Sequence, residues 1–182
     1  MRYRPTTVGG VWEGEIMAAE RTPTDRRGML DHSLEHICSY SVDLATAPEV
    51  IGPVAGDLRL NAYYAGGEVW GPRLRGRVLP VGADWLTLRT DGVGIVDIRC
   101  TLEAEGGALI YVTVNGIIDL GPDGYEMLLS GQTPPDGAPI RAASRFYTAH
   151  PDYTWLNRVS GLHVGQAMGS VGKIEYDVYA VR

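Results

Sequence analysis

From Leu34 onward, apolar residues recur at every second position or in short runs, and glycine, proline and Asp-Gly break the runs. That spacing predicts many short strands. Candidate strands cover residues 36–44, 57–70, 73–80, 85–90, 94–105, 108–118, 140–149, 162–171 and 173–181. Asp91-Gly92 and Gly106-Gly107 are placed for tight turns between them. Residues 128–139, with Pro134, Pro135 and Pro139, read as a loop, and one helical turn is expected around "DYTWLNRVSG", residues 152–161. Eight or more strands without alternating helices predict an all-β, antiparallel barrel or sandwich over residues 31–182. Residues 1–30 have no sustained period, although "EGEIMAAER" suits a short helix, so they are expected to form an irregular or partly helical N-terminal arm.

Alternation also sorts the polar residues. Over residues 94–105, Val96, Ile98, Cys100 and Leu102 share one face, and Asp97, Arg99, Thr101 and Glu103 share the other. Pairing with the next strand sets Tyr111 and Thr113 beside the Asp97/Arg99 row, and residues 141–149 add Arg141, Arg145 and Tyr147. Two orientations follow. Either the aliphatic faces make the core and the polar faces meet solvent, or the polar faces line a cavity able to hold one small ligand.

Composition narrows the classes. The 182-residue chain is 45% apolar and carries a net charge of −6, with Lys173 its only lysine. Scattered arginines on an acidic chain argue against nucleic acid as a partner, and no apolar tract is long enough to span a membrane. Two cysteines, Cys38 and Cys100, and an N-terminus whose longest apolar run is "IMAA" predict a reduced, cytoplasmic protein. "HSLEH" spells a zinc-protease motif, but it leads into a strand, where His32 and His36 would stand roughly 13 Å apart; no metal is expected. Hydrolase, phosphate-loop and dinucleotide signatures are incomplete, and no cofactor is expected.

The blocks "WGPRLRGRVLPVGADW", "VDIRC", "GGALIYVTV", "RFYTAHPDYTWLNRV" and "YDVYAV" resemble, in order, the domain-of-unknown-function 3237 family. The resemblance runs from about Leu34 to the C-terminus and departs from the family pattern at Val81 and Gly106, both in turns. It implies a calycin-like antiparallel barrel, often assembled into homo-oligomers. Some related proteins are linked to stereoselective ring closure by addition of a hydroxyl. The matching positions are Gly71, Asp84, Trp85, Asp97, Arg99, Tyr111, Phe146, Tyr153, Trp155, Leu156 and Asn157.

Together these readings set out an enzyme that moves protons on a small oxygenated organic substrate, by isomerisation, elimination or intramolecular cyclisation. Asp97 or Asp84 is the expected base, Arg99 and Arg145 the oxyanion partners, and Tyr111 the proton relay. Phe146, Tyr147 and Trp155 are expected to clamp the substrate, Tyr153 and Asn157 to join them from the "RFYTAHPDYTWLNR" segment, and Trp85 to complete the binding set. The rival readings are a binding barrel without chemistry and a purely structural role.

Overall fold

The computed structural model describes residues 30–182. The arm expected over residues 1–30 therefore lies, apart from Leu30, outside the described residues. Nine strands follow: β1 (Leu34–Leu44), β2 (Glu49–Val54), β3 (Asp57–Trp70), β4 (Gly76–Leu88), β5 (Val93–Ala104), β6 (Leu109–Asp119), β7 (Ala138–Tyr147), β8 (Ser160–Met168) and β9 (Lys173–Val181). Helix α1 (Gly124–Leu129) lies between β6 and β7, and a 3₁₀ helix spans Pro151–Arg158 between β7 and β8.

The hydrogen-bonded order is β1-β9-β8-β7-β6-β5-β4-β3-β2, and β1 also pairs with β3. All pairings are antiparallel, so β1 and β3–β9 close an eight-stranded barrel and β2 rides on β3 as an extra hairpin strand. Closure requires β3 to serve β4 along one edge and β1 along the other. The bend falls at Gly66 and Gly67, with φ of 135° and 156°, where the β3–β4 register shifts. A Cβ on Gly67 would run into the Ser41 carbonyl of β1, so only glycine lets the two backbones meet here.

β3 and β9 match the predicted bounds, and the other strands lie near theirs. Residues 73–80 and 85–90, expected as separate strands, merge into β4, whose ladder to β5 is interrupted between Val78 and Gly82, around Pro80. Proline has no N–H for a ladder, and an irregularity of this kind accommodates it. The Gly106-Gly107 turn closes β5 onto β6: the Ala104 N–H donates to the Ala108 carbonyl at 2.9 Å. β2 was not anticipated; "EVIGPV" has glycine and proline in its middle and stays largely exposed.

The interior belongs to the aliphatic faces. Val96, Ile98, Cys100 and Leu102 of β5 point inward with Ile110, Val112 and Val114 of β6, all at 3% exposure or less. Asp97, Arg99 and Tyr111 stand on the outer wall, which overturns the expectation that this polar row lines the barrel. The physical reason is cost. Burying aliphatic surface gains about 25 cal/mol per Å², whereas an enclosed ion pair loses several kcal/mol of hydration per charge.

Candidate functional site at one end of the barrel

The register brings one carboxyl inside. Asp84 lies across from Ala62 of β3 and Ile98 of β5, and it is 5% exposed. Its Oδ1 accepts the Asp97 N–H at 2.9 Å. Burial pushes the Asp84 carboxyl up to about 7; the Asp97 N–H opposes that rise and the Asp97 charge adds to it.

Asp84 forms part of the wall of a cavity of about 290 Å³. The remaining wall is mostly aliphatic, with Leu60 and Leu86 near Asp84, Val96 and Ile118 from the β5–β6 hairpin, and Ile140 and Ile174 at the starts of β7 and β9. Leu128 of α1 and the segment Thr46–Pro48 form part of the rim. Lys173 is also at the rim, where its Nζ meets Asp43 Oδ1 at 2.8 Å. Among the described residues, no arginine contributes to the wall. The volume is at the lower end of ordinary ligand pockets and suits a small molecule.

Beneath this cavity, rings converge from three strands. Tyr40 of β1, His163 of β8 and Tyr176 of β9 are each at most 3% exposed, with ring centroids 5.0–5.7 Å apart. Tyr40 Oη and His163 Nδ1 are 3.2 Å apart. Burial drives His163 down to about 3, so the imidazole is neutral. Tyr64 of β3 completes the group, two residues along the strand from Ala62. Burial first, then neighbouring charges that include Asp84, hold both the Tyr64 and the Tyr176 phenols protonated well above their ordinary range. Tyr64 Oη, Tyr176 Oη and His163 Nε2 have no hydrogen-bond partner among the described residues.

The other expected site residues sit elsewhere. Asp97 and Arg99 pair on the outer wall at 3.1 Å, Asn115 Nδ2 donates to Asp97 at 3.1 Å, and the Arg99 guanidinium lies 5.1 Å from the Trp85 ring centroid. Tyr111 and Tyr147 stack outside with centroids 5.8 Å apart. Arg145 is exposed on the same face of β7 as Tyr147. The strand wall therefore separates Arg99, Arg145 and Tyr111 from the Asp84 cavity, and none reaches a ligand held there.

The "RFYTAHPDYTWLNR" segment is a plug. Phe146 points inward at 4% exposure and Leu156 is fully buried, with Tyr153 and Trp155 packed partly against the core. Asn157 faces the chain itself: its Oδ1 accepts the Thr148 N–H and its Nδ2 donates to the Thr148 carbonyl, both at 2.9 Å. The 3₁₀ helix follows the C-terminal end of β7, whereas the cavity takes Ile140 from the beginning of that strand, so plug and cavity occupy opposite ends. His36, expected to be no metal ligand, tilts against Tyr179 and lies 3.2 Å from Ser39 Oγ. A larger, open groove of about 550 Å³ crosses the outer wall past Trp70, and several of its polar side chains are paired with each other, as in Ser39–Asp177 at 2.6 Å and Gln166–Glu175 at 3.1 Å.

Residues 32–181 match a family described as "Protein of unknown function (DUF3237)". The chain belongs to that family. A UPF0311 protein of Rhodopseudomonas palustris (strain TIE-1) is 35% identical over 132 residues, 71% of this chain and 84% of that relative. Another, from Clostridium acetobutylicum, is 33% identical over 91 residues, covering 50% and 58% of the two chains. Among solved structures, a β-barrel-like protein of Acinetobacter baumannii AYE superposes with a TM-score of 0.72 at 29% identity, covering 85% of this chain and 99% of that one. A structure described as an enzyme from Penicillium herquei superposes with a TM-score of 0.63 at 18% identity, covering 86% and 98%, a likeness of fold.

Tyr40, Tyr64, His163 and Tyr176 are not among the residues that the sequence pattern singles out. The available signal was a polar side chain on a strand's apolar face: Tyr176 between Ile174 and Val178, and His163 between Gly161 and Gly165.

Proposed function

We propose that the protein is an acid–base enzyme in which Asp84 moves a proton on a small, largely apolar substrate bound in the end cavity. The observation that carries this reading is a buried carboxyl, held near 7, in the wall of an otherwise aliphatic cavity. At neutral pH both protonation states of Asp84 are populated, so one group can take a proton and return it. Displaced carboxyls of this kind concentrate at functional sites.

Isomerisation, elimination and intramolecular cyclisation share the required step. Asp84 removes a proton from the carbon beside a carbonyl, the C–H electron pair moves into the new C=C bond, and charge collects on the carbonyl oxygen. Return of the proton to another carbon isomerises the substrate, and expulsion of a β-oxygen substituent eliminates it. Cyclisation is the reverse of that elimination: Asp84 takes the hydroxyl proton as the oxygen bonds to the β-carbon, and gives it to the α-carbon. The Penicillium herquei protein shares the barrel and is described as an enzyme, which supports a catalytic use of the fold without naming a reaction for this chain.

The test is exchange of the acetyl protons of 4-methylacetophenone with D₂O, followed by proton NMR. Wild-type protein is expected to accelerate exchange over buffer, and Asp84→Asn to lose at least about 100-fold of that acceleration, as loss of a general base does. Equal rates for the two proteins would assign Asp84 no catalytic part. Ligand binding without exchange would favour the carrier reading.

A further inference from the structure

Four buried side-chain polar atoms lack a partner among the described residues; one, Ser144 Oγ, is on β7, and the other three belong to the ring group beneath the cavity. Tyr64 Oη, Tyr176 Oη and His163 Nε2 have no partner among the described residues. An unsatisfied buried donor or acceptor costs about 1–3 kcal/mol, and folded proteins carry few of them. Tyr176 lies opposite Gly165 and His163 opposite Val178, so the three span adjacent layers of the barrel, and their hydrogen bonds are left open to another group.

Strand geometry connects this group to the cavity. Ile174 lines the cavity, and Tyr176 is the next inward residue of β9. On β3, Ala62 lines it and Tyr64 follows two residues later. Inward neighbours on a strand lie about 6.6 Å apart, so the phenols form the layer immediately below the cavity wall. Asp84 belongs to the cavity wall and is felt electrostatically by both phenols, which stand just beyond that wall.

The charges then limit the occupant. Phenols and a neutral imidazole offer hydrogen bonds without a compensating charge, and among the described residues the only ionisable groups of the cavity wall are Asp84 and Lys173, the latter already paired with Asp43. A carboxylate or phosphate placed inside would meet no free cation among the described residues and would face the Asp84 anion. Resting on the catalytic reading of this cavity, we propose that the Tyr64–Tyr176–His163 cluster is its polar floor and selects an uncharged ligand: an apolar body leading with a carbonyl or hydroxyl oxygen. In the proton-transfer step, the same hydroxyls donate to the oxygen that gains charge, in place of the outer-wall arginines.

The experiment compares three probes with one aromatic body by calorimetry at pH 8: 4-methylacetophenone, its oxygen-free counterpart 4-ethyltoluene, and 4-methylbenzoate. Wild-type protein is expected to bind the ketone at least about tenfold more tightly than the hydrocarbon, and the carboxylate not at all. Tyr64→Phe and Tyr176→Phe keep the rings. At least one is expected to weaken ketone binding about tenfold and leave hydrocarbon binding unchanged, while the melting temperature of the ligand-free protein stays level or rises. Equal affinity for ketone and hydrocarbon overturns the proposal, as does carboxylate binding that matches the ketone. A fall in melting temperature with unchanged ketone affinity also overturns it, by giving the hydroxyls to the fold. Binding of none of the three removes both the floor and the cavity reading. Proton exchange that depends on Asp84 but ignores both tyrosines removes only the floor, and tyrosine-dependent ketone binding without exchange removes only the catalytic reading.

Discussion

Asp84 and Asp97 stand on opposite sides of one barrel wall, joined by a single hydrogen bond. The Asp97 N–H donates inward to Asp84 Oδ1 at 2.9 Å, while the Asp97 carboxylate turns outward to Arg99. Two carboxyls, nearly in contact along the backbone, thus have different surroundings. One is enclosed among Leu60, Leu86 and Val96, and the other is two-fifths exposed beside a guanidinium.

The enclosed one makes stability pH-dependent. Asp84 rises from 3.8 unfolded to about 7 folded, so the folded state binds the extra proton between those values. Stability is therefore expected to fall as pH rises from about 4 to about 7, by at most about 1.36 kcal/mol per pH unit from this group. His163 works in the other direction: it drops from 6.5 to about 3, the unfolded state binds the proton, and stability rises with pH across that window. The two slopes oppose each other between about pH 4 and 6.5. Asp84→Asn keeps an acceptor for the Asp97 N–H and removes one slope, so its melting temperature is expected to exceed wild type at pH 8 and to rise more steeply from pH 4 to 6.5. Melting curves across pH check this, and parallel profiles for the two proteins would refute it.

The outer pair is predicted to matter little. Arg99→Ala and Asp97→Asn remove an exposed ion pair, and such pairs contribute about 0–1 kcal/mol. Urea unfolding is expected to show changes within that range, with 4-methylacetophenone affinity unchanged. A large loss of affinity would return these residues to the site.

Asn157 is predicted to act on stability alone. Its two hydrogen bonds to the Thr148 backbone fasten the 3₁₀ helix to the end of β7. Asn157→Ala should cost about 1–3 kcal/mol in urea unfolding, with cavity binding intact because the plug lies at the other end. Weakened binding without lost stability would contradict the plug assignment.

Gly165 gives a test of the interior ring layer. A Cβ there would fall 2.5 Å from the Glu175 carbonyl and against the Tyr176 ring, so alanine must displace one of them. Gly165→Ala is expected to destabilise by about 1–3 kcal/mol, as overpacking does, and to weaken ketone binding through Tyr176. Unchanged stability and unchanged binding together would place the Tyr176 ring elsewhere.

Periodicity made the strands legible, because alternation directly reports a half-buried strand: β3 and β9 came out with their observed bounds. β2 escaped because it packs almost nothing inward, and β4 was split because proline and glycine at a bulge look, locally, like a chain break. Asp84 is legible as a candidate from the family blocks, and Phe146 lies inside the barrel, but the cavity roles expected of Asp97, Arg99, Tyr111, Arg145 and Tyr147 need an inward face, and these residues stand on the outer one.

By itself the sequence determined that the chain makes antiparallel strands, where most of them turn, and which residues share a face, since these follow from backbone period and local turn chemistry. Only the tertiary structure decided which face looks inward and which distant residues meet there. Inward orientation is set by the summed cost of burying every row around a closed ring. The meeting of Tyr40, Tyr64, His163 and Tyr176, contributed by four strands, exists only once β1 has paired with β3 and the barrel is shut.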